Sequence, residues 1–264
     1  MLKRELKINI KSLLLWLSIL IAFMGIIYLI YPSIIGGENA SKIADLIKIF
    51  PPEVLKAFNM DIASLESVFG WLQTEGWVFI LLILSTYSAI LGSNILLKEE
   101  SDKTIEFLYS KPISRKKIVT SKILCGIINI FILNFGLYLF NLLGLYLSND
   151  LNFKLFTNMS LYSMLIYYAI FFICLLISTF FKNTKKTIGL CIAIVFVSYI
   201  LQMIGNLGDK YEFIKYFSLF ELAPTRYIIE NNSLGLVNIC VGSVIIIASV
   251  ILTYVRYNRK EFLI

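Results

Sequence analysis

The residues able to do chemistry are few, and their spacing supports little of it. The 264-residue chain has no histidine. That removes imidazole acid–base catalysis, a His metal site and a His pH switch. Its four cysteines, Cys125, Cys174, Cys191 and Cys240, lie inside apolar runs with no C-x-x-C pairing. They read as small apolar side chains rather than disulfides or metal ligands. The 17 Asp and Glu lie mostly in loops, with no paired spacing that suggests one carboxylate site. Gly37 is followed by Glu38-Asn39-Ala40-Ser41-Lys42, which is not a phosphate-cradling G-x-x-x-x-G-K-[ST] loop. The expectation is a chain that is not an enzyme, holds no metal, and takes any energy it uses from another chain.

The elements that must position these residues are membrane helices. The chain is 58% hydrophobic and 16% charged, with a mean hydropathy of +0.82, whereas a soluble domain carries about 25% charged residues. Six runs contain no Asp, Glu, Lys or Arg: 12–31, 77–97, 123–147, 161–181, 188–205 and 235–255. About 20 residues of helix cross a hydrocarbon layer of roughly 30 Å, and in lipid the backbone must satisfy itself, so each run is expected to be a helix. The first run is too long for a signal-peptide core and is kept as a span. The expected fold is an all-α polytopic membrane protein forming one transmembrane domain over 1–264. Its long loops are 32–76, 98–122 and 206–234. The first, between spans 1 and 2, is expected to be helical: 41–50 and 54–58 have helix-like spacing, and Asp61 or Ser64 can cap a third helix to Leu72.

Charge orients the bundle. The N-terminus, the loop 98–122, the link at Lys182, Lys185 and Lys186, and the C-terminus together hold 17 Lys/Arg against 6 acids, a net of +11. The other side holds 7 against 11, a net of −4. Basic flanks stay in the cytoplasm, so both termini are expected there. The tract Arg115-Lys116-Lys117 fits topology and lipid headgroups better than nucleic acid. The strongest polar groups within the runs are Asn94, Asn129, Asn134 and Asn141. Asn134 and Asn141, seven residues apart, share a helix face. Interhelical hydrogen bonding is the favoured reading over contact with a substrate. Small residues four apart, Ser85-Ala89-Ser93, Ser88-Gly92 and Gly189-Ala193, permit close helix approach within the chain or between chains.

The loop 98–122, KEESDKTIEFLYSKPISRKKIVTSK, is the most organised charged segment. Acids at Glu99, Glu100 and Asp102 precede Lys111, an order that complements a helix dipole, and Ser101 or Asp102 can cap the start. Ile105, Leu108 and Tyr109 form one apolar edge. Pro112 ends the run, and Ser114 can cap a second helix that continues into the third span. The spacing predicts a short amphipathic helix, then a turn.

This segment resembles the first intracellular loop of ABC-2-type transporter permeases. Glu99, Glu100, Thr104, Ile105, Glu106, Leu108, Pro112, Ile113, Ser114 and Arg115 fit that pattern, and Lys103 departs from it where many members have Gly. The six spans, cytoplasmic termini, basic amphipathic start and FPPEVLKAFNMD stretch (50–61) agree with it. The resemblance implies a membrane subunit that pairs with a second permease subunit, identical or different, and with two copies of a separate ATPase that binds the ATP and Mg. It implies a coupling helix in this loop, with Glu99, Glu100, Thr104, Ile105, Glu106, Leu108, Pro112, Ser114 and Arg115 carrying the coupling. It further implies a helical hairpin within 206–234. The composition, rich in Ile, Lys and Asn, points to a bacterial plasma membrane. The competing readings are a non-transporting membrane scaffold or immunity protein, and a membrane-embedded lipid enzyme.

Overall fold

The computed structural model describes residues 1–35, 49–51, 55, 67–105 and 113–260. Among these the chain is all-helical. Six helices are long and apolar enough to cross a membrane. They are α1 (Leu2–Ile35), α2 (Val68–Ile95), α4 (Arg115–Leu147), α5 (Phe153–Ser178), α6 (Thr184–Gly205) and α9 (Leu236–Arg259). Short pieces connect them: α3 (Lys98–Ser101) after α2, then α7 (Glu212–Lys215) and α8 (Thr225–Asn231) between α6 and α9. Each apolar run falls on one of the six long helices. Most helices overrun their apolar run, because caps rather than hydrophobicity set where they end. Ser114 Oγ accepts from the Lys117 N–H, so α4 starts eight residues before its apolar run. Asn152 and Asn183 cap α5 and α6 in the same way. The run 161–181 overshoots in turn, since α5 ends at Ser178.

Helices α2 and α5 form the centre. In α2, 61% of the most apolar window is buried, against 17% in α1 and in α9. The small residues of α2 serve this packing. Ser85, Ser88, Ala89 and Ser93 are fully buried, and a Cβ on Gly92 would collide with the Phe171 carbonyl of α5. Gly144 lies under the Tyr28 ring where α1 meets α4, and Gly242 lies under Leu165 where α9 meets α5. Gly189 differs. A Cβ there meets nothing within 4 Å, and Ala193 is exposed beside it. That small-residue pair therefore lies on an open face.

The N-terminal turn of α2 is capped from two directions. Ser67 Oγ accepts from Gly70 N–H at 2.9 Å, and Asp150, between α4 and α5, accepts from Phe69 N–H at 2.7 Å. The caps expected at Asp61 or Ser64, and the helices expected over 41–50 and 54–58, lie outside the described residues or in their isolated fragments. A π-helical turn follows at Leu72–Gly76, in which Thr74 bonds back to Gly70 O at 3.0 Å.

Candidate functional site at the terminal end of the bundle

Both termini and the first charged loop meet at one end of the bundle. Three buried ionisable groups organise that end, and each comes from a different helix. Lys122, about two turns into α4, is 1% exposed; Glu5 of α1 is 3% exposed; Glu99 of α3 is 8% exposed. Lys122 Nζ donates to both Glu99 oxygens at 2.8 Å and to the Ile95 carbonyl at the end of α2, and it lies 3.7 Å from Glu5 Oε2. A buried ammonium needs partners in all its donor directions, and here the last carbonyl of α2 and the Glu99 carboxylate supply them, with the Glu5 charge close by. Glu5 Oε1 is buried without a hydrogen-bond partner among the described residues.

The neighbouring acid turns the other way. Glu100 accepts from Lys260 Nζ at 2.6 Å, and the same ammonium donates to the Phe181 carbonyl at 2.8 Å. Arg115, at the first turn of α4, donates to the Asn258 and Lys260 carbonyls at 3.0 and 2.9 Å. It thereby satisfies acceptors that the end of α9 leaves open. Thr120 and Tyr254 share a hydrogen bond at 2.7 Å between α4 and α9, and Arg256 lies over the Phe180 ring at 4.9 Å. The first loop is thus fastened on one side to α1, α2 and α4, and on the other to the α5–α6 link and the C-terminus.

Lys103 has φ 54, in the left-handed region. Its N–H bonds Glu100 O at 3.3 Å, and Thr104 N–H bonds Glu99 O at 2.8 Å. This pair of bonds is a Schellman closure of α3, a position that favours glycine. The departure noted in the sequence therefore lands on a residue whose backbone would suit Gly. Ser101 and Asp102 close α3 rather than opening a helix. Thr104 is exposed, Ile105 is 5% exposed and Ser114 is exposed at its cap. Glu106, Leu108 and Pro112 lie outside the described residues, as does the amphipathic run expected there.

The four asparagines divide. Asn134 Nδ2 lies 3.2 Å from Ser160 Oγ of α5, and Asn141 Oδ1 accepts from the Tyr28 hydroxyl of α1 at 3.0 Å. Both are interhelical. Asn129 turns back on its own helix, to the Cys125 carbonyl at 2.7 Å. Asn94 is half-buried near the end of α2. Sequence reasoning counted Glu5, Lys122 and Lys260 only as charges that set topology. The available signal was position: Glu99 lies two residues past one apolar run, Lys122 directly precedes the next, and Glu5 is the lone acid in a basic N-terminus.

At the opposite end, the segment between α6 and α9 folds back on the helices. Ser218 donates to Ser198 O at 2.7 Å, and Asn238 Nδ2 donates to Glu221 O at 2.6 Å. A Cβ on Gly205 would strike the backbone of Lys215.

Six helices long and apolar enough to cross a membrane define a multi-pass membrane protein. The family comparison agrees over nearly the whole length. The chain belongs to the ABC-2 family of transporter proteins, whose family model matches residues 1–262. No curated relative matches it.

Proposed function

We propose that the chain is the membrane-spanning subunit of an ATP-driven exporter, working with a separate ABC ATPase and paired with a second permease subunit. The observation that carries this reading is the double fastening of the first loop. A force on that loop reaches α1, α2 and α4 through Glu99 and Lys122, and reaches α9 through Glu100, Lys260 and Arg115. A loop built this way can pass a partner's nucleotide-dependent motion to most of the bundle, which is what a bistable helix assembly driven from outside requires. Family membership supports the partnership, since ABC-2 permeases generally work with an ABC ATPase.

In this reading both termini and the loop 98–122 face the cytoplasm of a bacterial cell, consistent with the net +11 on that side. Glu99, Glu100 and Arg115 act as positioning residues that hold the loop. Thr104, Ile105, Glu106, Leu108, Pro112 and Ser114 form or shape the surface that the ATPase grips. ATP and Mg are bound by the partner. The exported substrate is an amphiphile, a peptide antibiotic, a lipid or an ion.

The test is co-expression with ABC ATPases of the same genome, followed by purification in detergent and assay of ATP hydrolysis. The expected result is a stable complex whose hydrolysis responds to substrate, and a Glu106→Lys variant that keeps the fold but loses that response. A correctly folded chain that binds no ATPase would overturn the reading and favour a scaffold or immunity role.

A further inference from the structure

Away from the terminal end, a cavity of about 540 Å³ opens between α6, α9 and the segment that joins them. Its volume is within the range of small-molecule sites. One wall is charged, with Lys215 and Arg226 against Glu221 and Glu230, so the two signs cancel. The other wall is apolar, with Val237 and Val241 of α9 at its base.

The charged wall has capacity to spare. Glu221 is held in place by Gln202 Nε2, which donates to Oε2 at 2.8 Å. Its other oxygen, Oε1, makes no hydrogen bond among the described residues; the nearest cation, Lys215 Nζ, is 3.9 Å away. Arg226 uses its Nε on Glu230 at 3.0 Å in a pair whose side chains are 70% and 58% exposed. A pair so exposed is easily traded for another partner, and a guanidinium fork suits a phosphate or carboxylate. A wall with one under-used carboxylate, one available guanidinium and no net charge matches a zwitterion better than a lone anion or cation.

The apolar wall continues beyond the cavity. Val237, Val241, Val244, Ile251 and Val255 recur at spacings of three, four and seven along α9 and are all exposed. They form one stripe that starts at the cavity and runs the length of the helix.

We propose that this cavity binds the head group of a zwitterionic amphiphile, with an ammonium at Glu221 and an anionic group at Arg226, and that its chain lies along the α9 stripe. The same chemistry can come from a resident bilayer lipid or from an exported amphiphile. The site is independent of the coupling assigned to the first loop.

The test uses the full chain, stripped of lipid in detergent, and native mass spectrometry. The probes are dioleoyl phosphatidylethanolamine, dioleoyl phosphatidylglycerol, tail-less glycerophosphoethanolamine and a palmitoylated zwitterionic dipeptide. One phosphatidylethanolamine is expected per chain, bound about tenfold more tightly than phosphatidylglycerol, with the tail-less head group not retained. Glu221→Gln and Arg226→Ala are each expected to weaken binding about tenfold; Arg226 is exposed enough that its loss leaves the fold intact. Tighter binding of phosphatidylethanolamine than of the dipeptide assigns the site to a bilayer lipid, and the reverse order to an exported amphiphile. Equal binding of the two phospholipids, or unchanged affinity in both variants, would overturn the proposal. No ATPase takes part, so failure here leaves the coupling reading standing, and failure of that reading leaves this one.

Discussion

Replacing Lys122 with Met removes the ammonium that, among the described residues, serves both Glu5 and Glu99. At an effective dielectric of about 20, a 2.8 Å pair is worth about 6 kcal/mol of attraction and a 3.7 Å pair about 4.5 kcal/mol. Burial of all three groups offsets much of that gain in the native protein. Taking Lys122 away leaves the burial cost of two carboxylates without the compensation, and breaking a buried ion pair in this way costs about 3–5 kcal/mol. For a chain of this size each kcal/mol moves Tm by roughly 2–4 °C, so Lys122→Met is expected to lower Tm by on the order of 10 °C. Intrinsic tryptophan fluorescence of the purified chain on heating reads it. The double variant Lys122→Met, Glu99→Gln removes one of the stranded charges. It should therefore fall by less than the sum of the single variants, with a coupling of about 0.5–3 kcal/mol. A Lys122→Met Tm within about 2 °C of wild type, together with additive behaviour in the double variant, would refute the reasoning.

Lys103→Gly should raise stability by up to about 1 kcal/mol, because glycine enters the left-handed region without the Cβ clash; a fall in Tm would count against the Schellman closure. Gly92→Ala should cost about 1–3 kcal/mol by forcing α2 off the Phe171 carbonyl, whereas Gly189→Ala should be neutral or stabilising in the same thermal assay. Tyr28→Phe removes one interhelical hydrogen bond to Asn141 and should cost about 0.6 kcal/mol, near the average for such bonds in membranes. Burial raises the Glu221 carboxyl above the usual carboxylate range, with Glu212 adding to the rise, while Gln202 and Lys215 pull it down. A raised folded value means that folding favours the protonated form, so this contribution to stability is full below the unfolded value of about 4.3 and is lost as pH rises through the folded value. The Tm of wild type minus that of Glu221→Gln should therefore fall between pH 4 and neutrality, and a flat or rising difference would contradict the burial.

The six spans were legible because bilayer thickness imposes a length and lipid excludes charge, and both constraints are written locally along the chain. The start of α4 was legible too, since a serine followed by a basic helical turn after a proline has one reading. The buried node was not. Glu5, Glu99 and Lys122 are dispersed over more than a hundred residues, and each has an adequate local explanation as a flank of an apolar run. Only packing of α1 beside α4 turns three flanking charges into one cluster. The asparagines were half legible. Spacing put Asn134 and Asn141 on one face, but the partners Ser160 and Tyr28 belong to different helices, and periodicity within one helix carries no information about which neighbour it meets. Lys103 shows the reverse case. A resemblance flagged the position, and the backbone gives the reason.

The buried node also has an order of manufacture. Glu5 is made before Lys122, which follows 117 residues later in the chain. At about 5–20 residues per second a ribosome takes roughly 6–23 s to supply the ammonium. Until then Glu5 and Glu99 lack the ammonium that pairs with them in the folded protein. Lys260, which completes the second fastening, arrives last of all. A half-made chain therefore differs electrically from a finished one at the face where these residues meet.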